Sequence, residues 1–178
     1  MRENVLLEVR GLVKDFEVTK GATRRLLGRL RAVNHASFAI GPGETLGLVG
    51  ESGCGKTTTG RCVIRAIEPT SGQVRYRRAD GLVVDVPELD AAGLRGFRRE
   101  VRLIFQDPFA SLNPRMTVFQ IVAAPLKANR LVSSRSELDS RVAAILAEVG
   151  LNPDHMRRYP HAFSGGQRQR IGIARSLV

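Results

Sequence analysis

The sequence predicts an α/β fold, and three consecutive features near its first third carry that prediction. Residues 45–49 form a short apolar run that is typical of a buried strand. Residues 50–57 follow with the pattern G-x-x-x-x-G-K-[ST]. Apolar residues then recur at helical spacing through Val63, Ile64 and Ile67. A strand, a glycine-rich loop and a helix in this order indicate a phosphate-binding loop.

The loop contains residue types that hold a phosphate chain. Its glycines let the backbone curl so that successive amide N–H groups point at an anion. We expect Lys56 to reach the β- and γ-phosphates of a nucleotide and the Thr57 hydroxyl to bind Mg²⁺. The helix that starts here adds the positive end of its dipole. The predicted binding residues are Gly50, Glu51, Ser52, Gly53, Cys54, Gly55, Lys56, Thr57 and Thr58.

Length and composition favour one globular domain. The chain has 178 residues, of which 43% are hydrophobic and 25% charged, and this is enough for a sizeable core. No apolar run approaches the length of a membrane span, and the first residues lack the apolar segment of a signal peptide. The two cysteines, Cys54 and Cys62, fit no common zinc spacing. We expect a soluble cytosolic chain.

The charge is strongly basic. Twenty-eight lysines and arginines against 17 acidic residues give a net charge of +11. Such a balance permits nucleic acid, anionic lipid or phosphate-rich ligands as partners. The basic residues are scattered, which favours a solvated basic surface over a dedicated polyanion site, the alternative that stays open.

The remaining elements are predicted from periodicity and turn residues. A basic segment from Lys20 to Arg31 is expected to be an exposed loop or a short amphipathic helix on a surface. Residues 89–99 are expected to be irregular, and residues 101–105 to form a buried strand that leads to Gln106. The other predicted strands are residues 5–9, 33–40, 73–76 and 82–86.

Capping boxes predict three helix starts. Thr117 with Gln120, Ser134 with Glu137, and Ser164 with Gln167 each have the required spacing of three. At the third start two glycines follow the serine. Their amides and the serine hydroxyl offer a second anion site, although a plain capped helix explains the same residues.

Taken together, these motifs resemble the ATP-binding subunit of ABC transporters over essentially the whole chain. Residues 50–57 look like its Walker A motif, and Gln106 looks like its Q-loop glutamine. The stretch Phe163, Ser164, Gly165, Gly166 and Gln167 is similar to the family signature, with phenylalanine in place of the more usual leucine. Residues 105–118 and 159–163 resemble the oligopeptide, dipeptide and nickel importer branch.

The resemblance implies a P-loop NTPase core with an N-terminal antiparallel β region and a helical subdomain at residues 107–160. Residues 1–178 would be one nucleotide-binding domain, incomplete at its C-terminus. Lys56 and Gln106 would act in catalysis, and Thr57 and Gln106 would contact Mg²⁺. Phe16 would stack on the adenine of ATP. Residues 163–167 would act in trans, on ATP held by a partner subunit.

The resemblance also implies partners and a location. A second ABC ATPase subunit, identical or related, would sandwich two nucleotides with this one. Integral membrane permease subunits would dock on the helical subdomain, and a substrate-binding protein would take part indirectly. The chain would lie in the cytoplasm on the inner face of the membrane, where ATP binding and hydrolysis would drive peptide import. No nucleic-acid partner is expected.

The chain departs from the family pattern after the signature. The Walker B aspartate, the catalytic glutamate and the switch histidine cannot be placed. Residues 82–85 mimic a Walker B strand but precede the signature. We therefore expect ATP binding with slow turnover. Two other functions stay open: a nucleotide-binding module without turnover, and a DNA-repair or chromosome-associated ATPase that shares the signature.

Overall fold

The computed structural model of the chain describes residues 4–20, 25–104 and 112–178. The chain divides into two compact units, Met1–Arg102 and Leu103–Val178. The first unit combines a β-sheet with two helices, and the second is helical. Each unit has an apolar core of its own.

A four-stranded antiparallel sheet dominates the first unit. Its strand order is β2-β1-β3-β4. The strands are β1 (Leu7–Lys20), β2 (Arg25–Ile40), β3 (Ser71–Arg77) and β4 (Val83–Asp85), and the helices are α1 (Lys56–Val63) and α2 (Ala91–Glu100). The strands predicted at residues 5–9, 33–40, 73–76 and 82–86 are thus confirmed, with the first two much longer than expected.

The pairing of β1 with β2 contains a bulge beside the glycine-rich loop. Lys14 opposes Val33 and Asp15 opposes Arg31, so Ala32 has no residue opposite it. A bulge of this kind bends the strand and redirects its backbone groups. The carbonyl of Ala32 is thereby turned towards Gly55 of the loop.

Helix α2 covers part of the sheet, and the prediction that residues 89–99 are irregular is wrong. Asp90 caps the helix by accepting a hydrogen bond from the Gly93 amide at 2.7 Å. Phe97 is buried and meets the Tyr76 ring edge-on, with the centroids 5.3 Å apart. The apolar side of α2, with the buried Phe97 at its centre, therefore stabilises the helix. Its three arginines, Arg95, Arg98 and Arg99, are exposed.

Two predicted buried strands are wrong. Residues 45–49 and the described part of the other run, residues 101–104, form no strand. Val49 is 96% exposed, and Ile104 is half exposed. An apolar run becomes a buried strand only where neighbouring strands accept its backbone hydrogen bonds. Within the described ranges neither run has such a neighbour.

The basic segment from Lys20 to Arg31 is neither a loop nor a helix in its described part. Residues 25–31 belong to β2 and pair with the end of β1. Asp15 accepts two hydrogen bonds from the Arg31 guanidinium, at 2.9 and 3.1 Å, and Phe16 opposes Leu30. These cross-strand pairs stabilise an extended conformation that the spacing of the leucines alone does not reveal.

The second unit packs three helices around one core. They are α3 (Val118–Ala128), α4 (Arg135–Glu148) and α5 (Gly165–Leu177). All three predicted helix starts are confirmed. The capping boxes at Thr117 and Ser164 have both of their reciprocal hydrogen bonds. In the box at Ser134 the Glu137 side chain accepts from the amide of Ser133, one residue before the N-cap residue that a complete box requires. Pro125 lies inside α3 without ending it.

Across the three described ranges, no helix is both long enough and apolar enough to cross a membrane.

Candidate functional site

The glycine-rich loop is shaped by three glycines with positive φ, the first of which is Gly50 at +157°. Gly53 has φ +82° and Gly55 has φ +94°, a region that residues with a Cβ rarely adopt. A short turn closes the loop where the Cys54 amide donates to the Glu51 carbonyl at 3.3 Å. Gly55 is the N-cap of α1, so the helix begins at Lys56 as the motif predicts.

Close approach of two backbones fixes the identity of Gly55. A Cβ at this position would lie 2.1 Å from the carbonyl oxygen of Ala32, the bulged residue of β2. No side chain fits in that space. The Thr59 hydroxyl adds a second attachment, because it donates to the Gly55 carbonyl at 3.0 Å. The loop is therefore hydrogen-bonded to its own helix on one side and closely approached by β2 on the other.

Lys56 folds back over the loop it follows. Its Nζ donates to the carbonyl oxygens of Gly50 at 2.7 Å and Glu51 at 2.6 Å. A third contact reaches Cys54 Sγ at 3.5 Å, and sulfur is a weak acceptor. An ammonium group has three N–H donors. The two carbonyls fix the position of the ammonium group. The third N–H donor contacts only the Cys54 sulfur, and a phosphate oxygen, which is a much stronger acceptor, would replace that sulfur as its partner.

The loop borders an open cleft of about 140 Å³. The cleft is lined by Ala32, Gly53, Gly55, Lys56, Thr57 and Thr58. No acidic side chain lies in the first turn of α1, so the positive end of its dipole is not neutralised there. The cleft can therefore receive an anion. Thr57 is exposed, so its hydroxyl can supply the hard oxygen ligand that Mg²⁺ prefers.

Ala32 and Thr59 are site residues that sequence reasoning missed. Ala32 is far from the loop in sequence and chemically plain, and the bulge that brings it there depends on pairing with β1. Thr59 lies one residue beyond the motif. Its role could have been suspected, since a threonine hydroxyl in a helix often donates to the carbonyl four residues earlier.

One predicted nucleotide contact, Phe16, is not brought to the cleft. Phe16 lies in β1 opposite Leu30, is partly exposed, and has Lys14 Nζ 5.0 Å from its ring centroid. It does not line the cleft. Gln106 falls outside the described residues. Over the described ranges, no group of three or more His, Cys, Asp or Glu side chains could hold a metal ion.

The predicted signature lies in the second unit, at the start of α5. Phe163 is buried in that unit's core, and the Ser164 hydroxyl accepts from the Gln167 amide at 3.3 Å. Gly165 and Gly166 are exposed, and a Cβ on either would meet nothing within 4 Å. Crowding by neighbouring atoms of the described chain therefore does not explain why glycine occupies these two positions. The exposed first turn leaves room for another molecule to approach closely.

Arg168 holds the segment before the signature in place. Its Nε donates to the carbonyls of Pro160 and Phe163, each at 2.9 Å. A third bond runs from Nη2 to the His161 carbonyl at 3.4 Å. Sequence reasoning did not single out this arginine. Arg168 lies two residues after Gly166, in the first turns of α5, and its side chain points back along the chain, as helical side chains do.

Solved structures identify the class of fold. The dimeric post-hydrolysis structure of the ATP-binding cassette MJ0796 with ADP and Pi is similar with a TM-score of 0.76 and 26% sequence identity. The match covers 97% of this chain and 69% of that one. A second dimeric structure of MJ0796, described as a bacterial ABC transporter cassette, gives the same TM-score at 27% identity. The fold is that of an ABC-type P-loop ATPase, as predicted.

Sequence comparison identifies the family. Residues 33–178 match the profile described as ABC transporter. The chain therefore belongs to the ABC transporter family, whose cassettes bind and hydrolyse ATP.

Curated relatives agree with the importer branch. The Bacillus subtilis oligopeptide transport ATP-binding proteins OppF and AppF are 49% and 46% identical over 173 and 177 residues. The glutathione import ATP-binding protein GsiA of Pectobacterium atrosepticum is 48% identical over 173 residues. These alignments cover 97% to 99% of this chain, but only 53%, 52% and 27% of OppF, AppF and GsiA. The chain thus spans about half the length of OppF and AppF and about a quarter of the length of GsiA.

Proposed function

We propose that the chain is the ATP-binding part of an ABC importer for oligopeptides or dipeptides. The observation that carries the proposal is the cradle around Lys56, in which two loop carbonyls fix an ammonium group above the start of α1. The peptide class is supported by the relatives, two of which are named as oligopeptide transport proteins. Glutathione, the ligand in GsiA's name, is itself a peptide.

In the proposed site the loop binds the phosphate chain of ATP. Backbone amides from Gly53 to Lys56 donate to phosphate oxygens, and Lys56 adds a positive charge. Glu51, Ser52, Cys54 and Thr58 complete the predicted loop contacts. Mg²⁺ would be held by Thr57 and Gln106, and it would neutralise charge that develops on the phosphates. Phe16 stays our candidate for stacking on adenine.

The proposed switch needs a second subunit. The exposed signature, residues 163–167, would close over ATP bound to the partner's loop, and the dimer would open after hydrolysis. Gln106 would report the γ-phosphate to the helical region at residues 107–160, where permease subunits would dock. The substrate-binding protein would then act through the permease, and the chain would sit at the inner face of the membrane.

Turnover by the 178-residue polypeptide is proposed to be slow. Phosphoryl transfer depends on metal positioning and an oriented water molecule, and no described acidic cluster supports either. The second candidate function is a nucleotide-binding module that does not hydrolyse ATP. Steady ATP turnover by the purified polypeptide would exclude that second candidate.

The decisive experiment measures Mg·ATP affinity by calorimetry for wild type and Lys56→Ala. We expect the substitution to abolish measurable binding, because it removes a charge-assisted contact to the phosphates. Lys127→Ala, which removes an exposed lysine from α3, is the matched control and should bind as wild type does. Unchanged affinity in Lys56→Ala would show that the site is wrongly assigned.

The peptide class needs a separate readout. Cells that carry the gene in wild-type or Lys56→Ala form should differ in uptake of labelled dipeptides and oligopeptides. If Lys56→Ala abolishes ATP binding but peptide uptake is unaffected, the nucleotide site stands and the proposed substrate class fails.

A further inference from the structure

The ends of β1 and β2 extend beyond the sheet as a two-stranded ribbon. The last pair between β1 and β3 is Val13 with Ser71, whereas β1 and β2 stay paired as far as Lys20 with Arg25. We define the ribbon as residues 17–20 and 25–30. Its strands have no third strand beside them in the described structure. Isolated two-stranded ribbons are only marginally stable in water, so this one would gain from contact with another surface.

Large aliphatic side chains on the ribbon face solvent. Leu27 and Leu30 are each 60% exposed, Leu26 is 51% exposed and Val18 is 43% exposed. Neither apolar core contains any of them. Scattered exposed leucines are ordinary, but these four aliphatic residues lie within ten residues of ribbon. The register places Val18 and Leu30 on one face and Leu26, which pairs with Thr19, on the other, so the patch they form covers both faces of the ribbon. Such a patch marks a surface that another body covers.

Positive charge surrounds this patch. The ribbon contains Lys20, Arg25 and Arg29 against one acidic residue, Glu17, which lies opposite Arg29. Lys20 and Arg25 are exposed and directly opposite each other, and like charges in that arrangement repel. No ion pair is formed by either residue within the described ranges. A negatively charged partner would relieve this repulsion.

We propose that the ribbon binds the surface of an anionic lipid bilayer. The leucines enter the boundary between headgroups and acyl chains, and the basic side chains reach back to lipid phosphates. The ribbon cannot cross the bilayer, because the unpaired backbone groups along its edges cannot be satisfied in hydrocarbon. It lies at the interface and contributes a lipid contact of the chain's own, in addition to any contact with a permease.

The composition of the patch distinguishes a bilayer from other anionic partners. Single-stranded nucleic acid is held by stacking on aromatic rings, and the ten ribbon residues include none. The neighbouring Phe16, opposite Leu30, already has Lys14 Nζ 5.0 Å from its ring centroid. A second copy of the chain would present the same Lys20, Arg25 and Arg29, so two ribbons in contact would repel each other. Aliphatic groups beside lysine and arginine are the combination that interfacial membrane binding requires.

Vesicle sedimentation tests the charge requirement. The chain should bind vesicles of phosphatidylcholine mixed with phosphatidylglycerol, and not vesicles of phosphatidylcholine alone. Lys20→Ala with Arg25→Ala should weaken binding about thirtyfold, since each basic residue near an anionic surface contributes about fivefold. The matched control, Lys127→Ala with Arg95→Ala, makes the same charge change on exposed helix positions and should bind as wild type does. Equal binding by both double variants overturns the proposal.

A fluorescent reporter tests the apolar contact. The chain has no tryptophan, so Leu27→Trp introduces a single one on the ribbon. Its emission should shift to the blue when mixed vesicles are added and stay unchanged with duplex DNA. An unchanged spectrum on vesicles to which the chain is bound overturns insertion. A blue shift that occurs without vesicles as protein concentration rises indicates self-association instead, and also overturns the proposal.

The nucleotide site provides an independent control. No ribbon residue lines the cleft beside Lys56, so the ribbon variants should keep the Mg·ATP affinity of wild type. Retained ATP affinity also confirms that each variant is folded. If wild type binds Mg·ATP but not the mixed vesicles, this proposal fails while the proposed function stands.

Discussion

Gly55 shows how one backbone position can fix a site. Alanine at 55 would have to adopt φ +94° and would bring a methyl group 2.1 Å from the Ala32 carbonyl. The positive φ costs about 1–2 kcal/mol, and relief of the clash adds about 1–3 kcal/mol. We expect Gly55→Ala to lower the free energy of unfolding by the sum of these two costs. We also expect it to weaken Mg·ATP binding more than tenfold, because it displaces the loop that binds the phosphates.

Gly43→Ala is the matched control for that prediction. Gly43 also has a positive φ, +71°, but a Cβ there would meet nothing within 4 Å. It should therefore show the smaller, conformational loss of stability and keep wild-type ATP affinity. Chemical denaturation and calorimetry measure both quantities. Equal effects of the two substitutions would mean that the contact with Ala32 does not matter.

Tyr76 predicts a dependence of stability on alkaline pH. Burial, together with its hydrogen bond to Glu100 at 3.1 Å, raises the pKa of Tyr76 to about 12. The unfolded chain, with a tyrosine pKa of about 10, therefore loses this proton first as the pH rises. The stability that the protonated hydroxyl contributes is complete below about pH 10 and is lost as the pH approaches about 12.

Tyr76→Phe isolates this effect. At neutral pH the variant should be less stable than wild type by about 1–2 kcal/mol, because the bond to the Glu100 carboxylate is lost. The difference should shrink between pH 10 and 12, as measured by denaturant unfolding across that range. Tyr159→Phe changes the exposed tyrosine and should leave the free energy of unfolding unchanged at every pH in that range. A difference that stays constant with pH would contradict the assigned ionisation.

At the scale of single elements, α2 offers a test of a cap that sequence reasoning overlooked. Asp90→Ala removes the acceptor for the Gly93 amide and should cost about 1 kcal/mol of stability. Asp90→Asn keeps an oxygen at the same place and should cost much less. Thermal unfolding of the two variants measures the contrast. If both behave alike, the capping bond contributes nothing.

The elements that could be predicted are those specified by local bonds. The three helices of the second unit were found because each begins with a serine or threonine whose partner lies three residues on. Helix α2 was missed because its cap lacks that partner and its apolar stripe is interrupted by glycines and arginines. Strands depend on neighbours distant in sequence, so the ribbon was mistaken for a loop or helix, and residues 45–49 for a buried strand.

The same distinction holds for the whole molecule. The loop motif located the cleft from eight consecutive residues, since its chemistry is local. Ala32 could not be found, because its place beside Gly55 results from a bulge between two paired strands. The roles of Phe16, Gln106 and residues 163–167 still depend on the family resemblance. The test of residues 163–167, which are proposed to act in trans, must involve a second subunit.

Mixing two defective chains tests whether the signature acts in trans. A chain with Lys56→Ala and one with Ser164→Ala each lack one half of every site in their own homodimer. If the signature of one subunit completes the site of the other, the mixture contains one intact site per heterodimer. Light scattering should then detect a Mg·ATP-dependent dimer in the mixture and in neither chain alone.

The control for this experiment must separate the signature from helix stability. Ser164→Ala removes a cap as well as a proposed ATP contact, and Thr117→Ala removes the matching cap of α3. Thr117→Ala should dimerise with ATP as wild type does. A site completed within one chain predicts the opposite for the mixture, because each chain would then carry its own defect into every dimer.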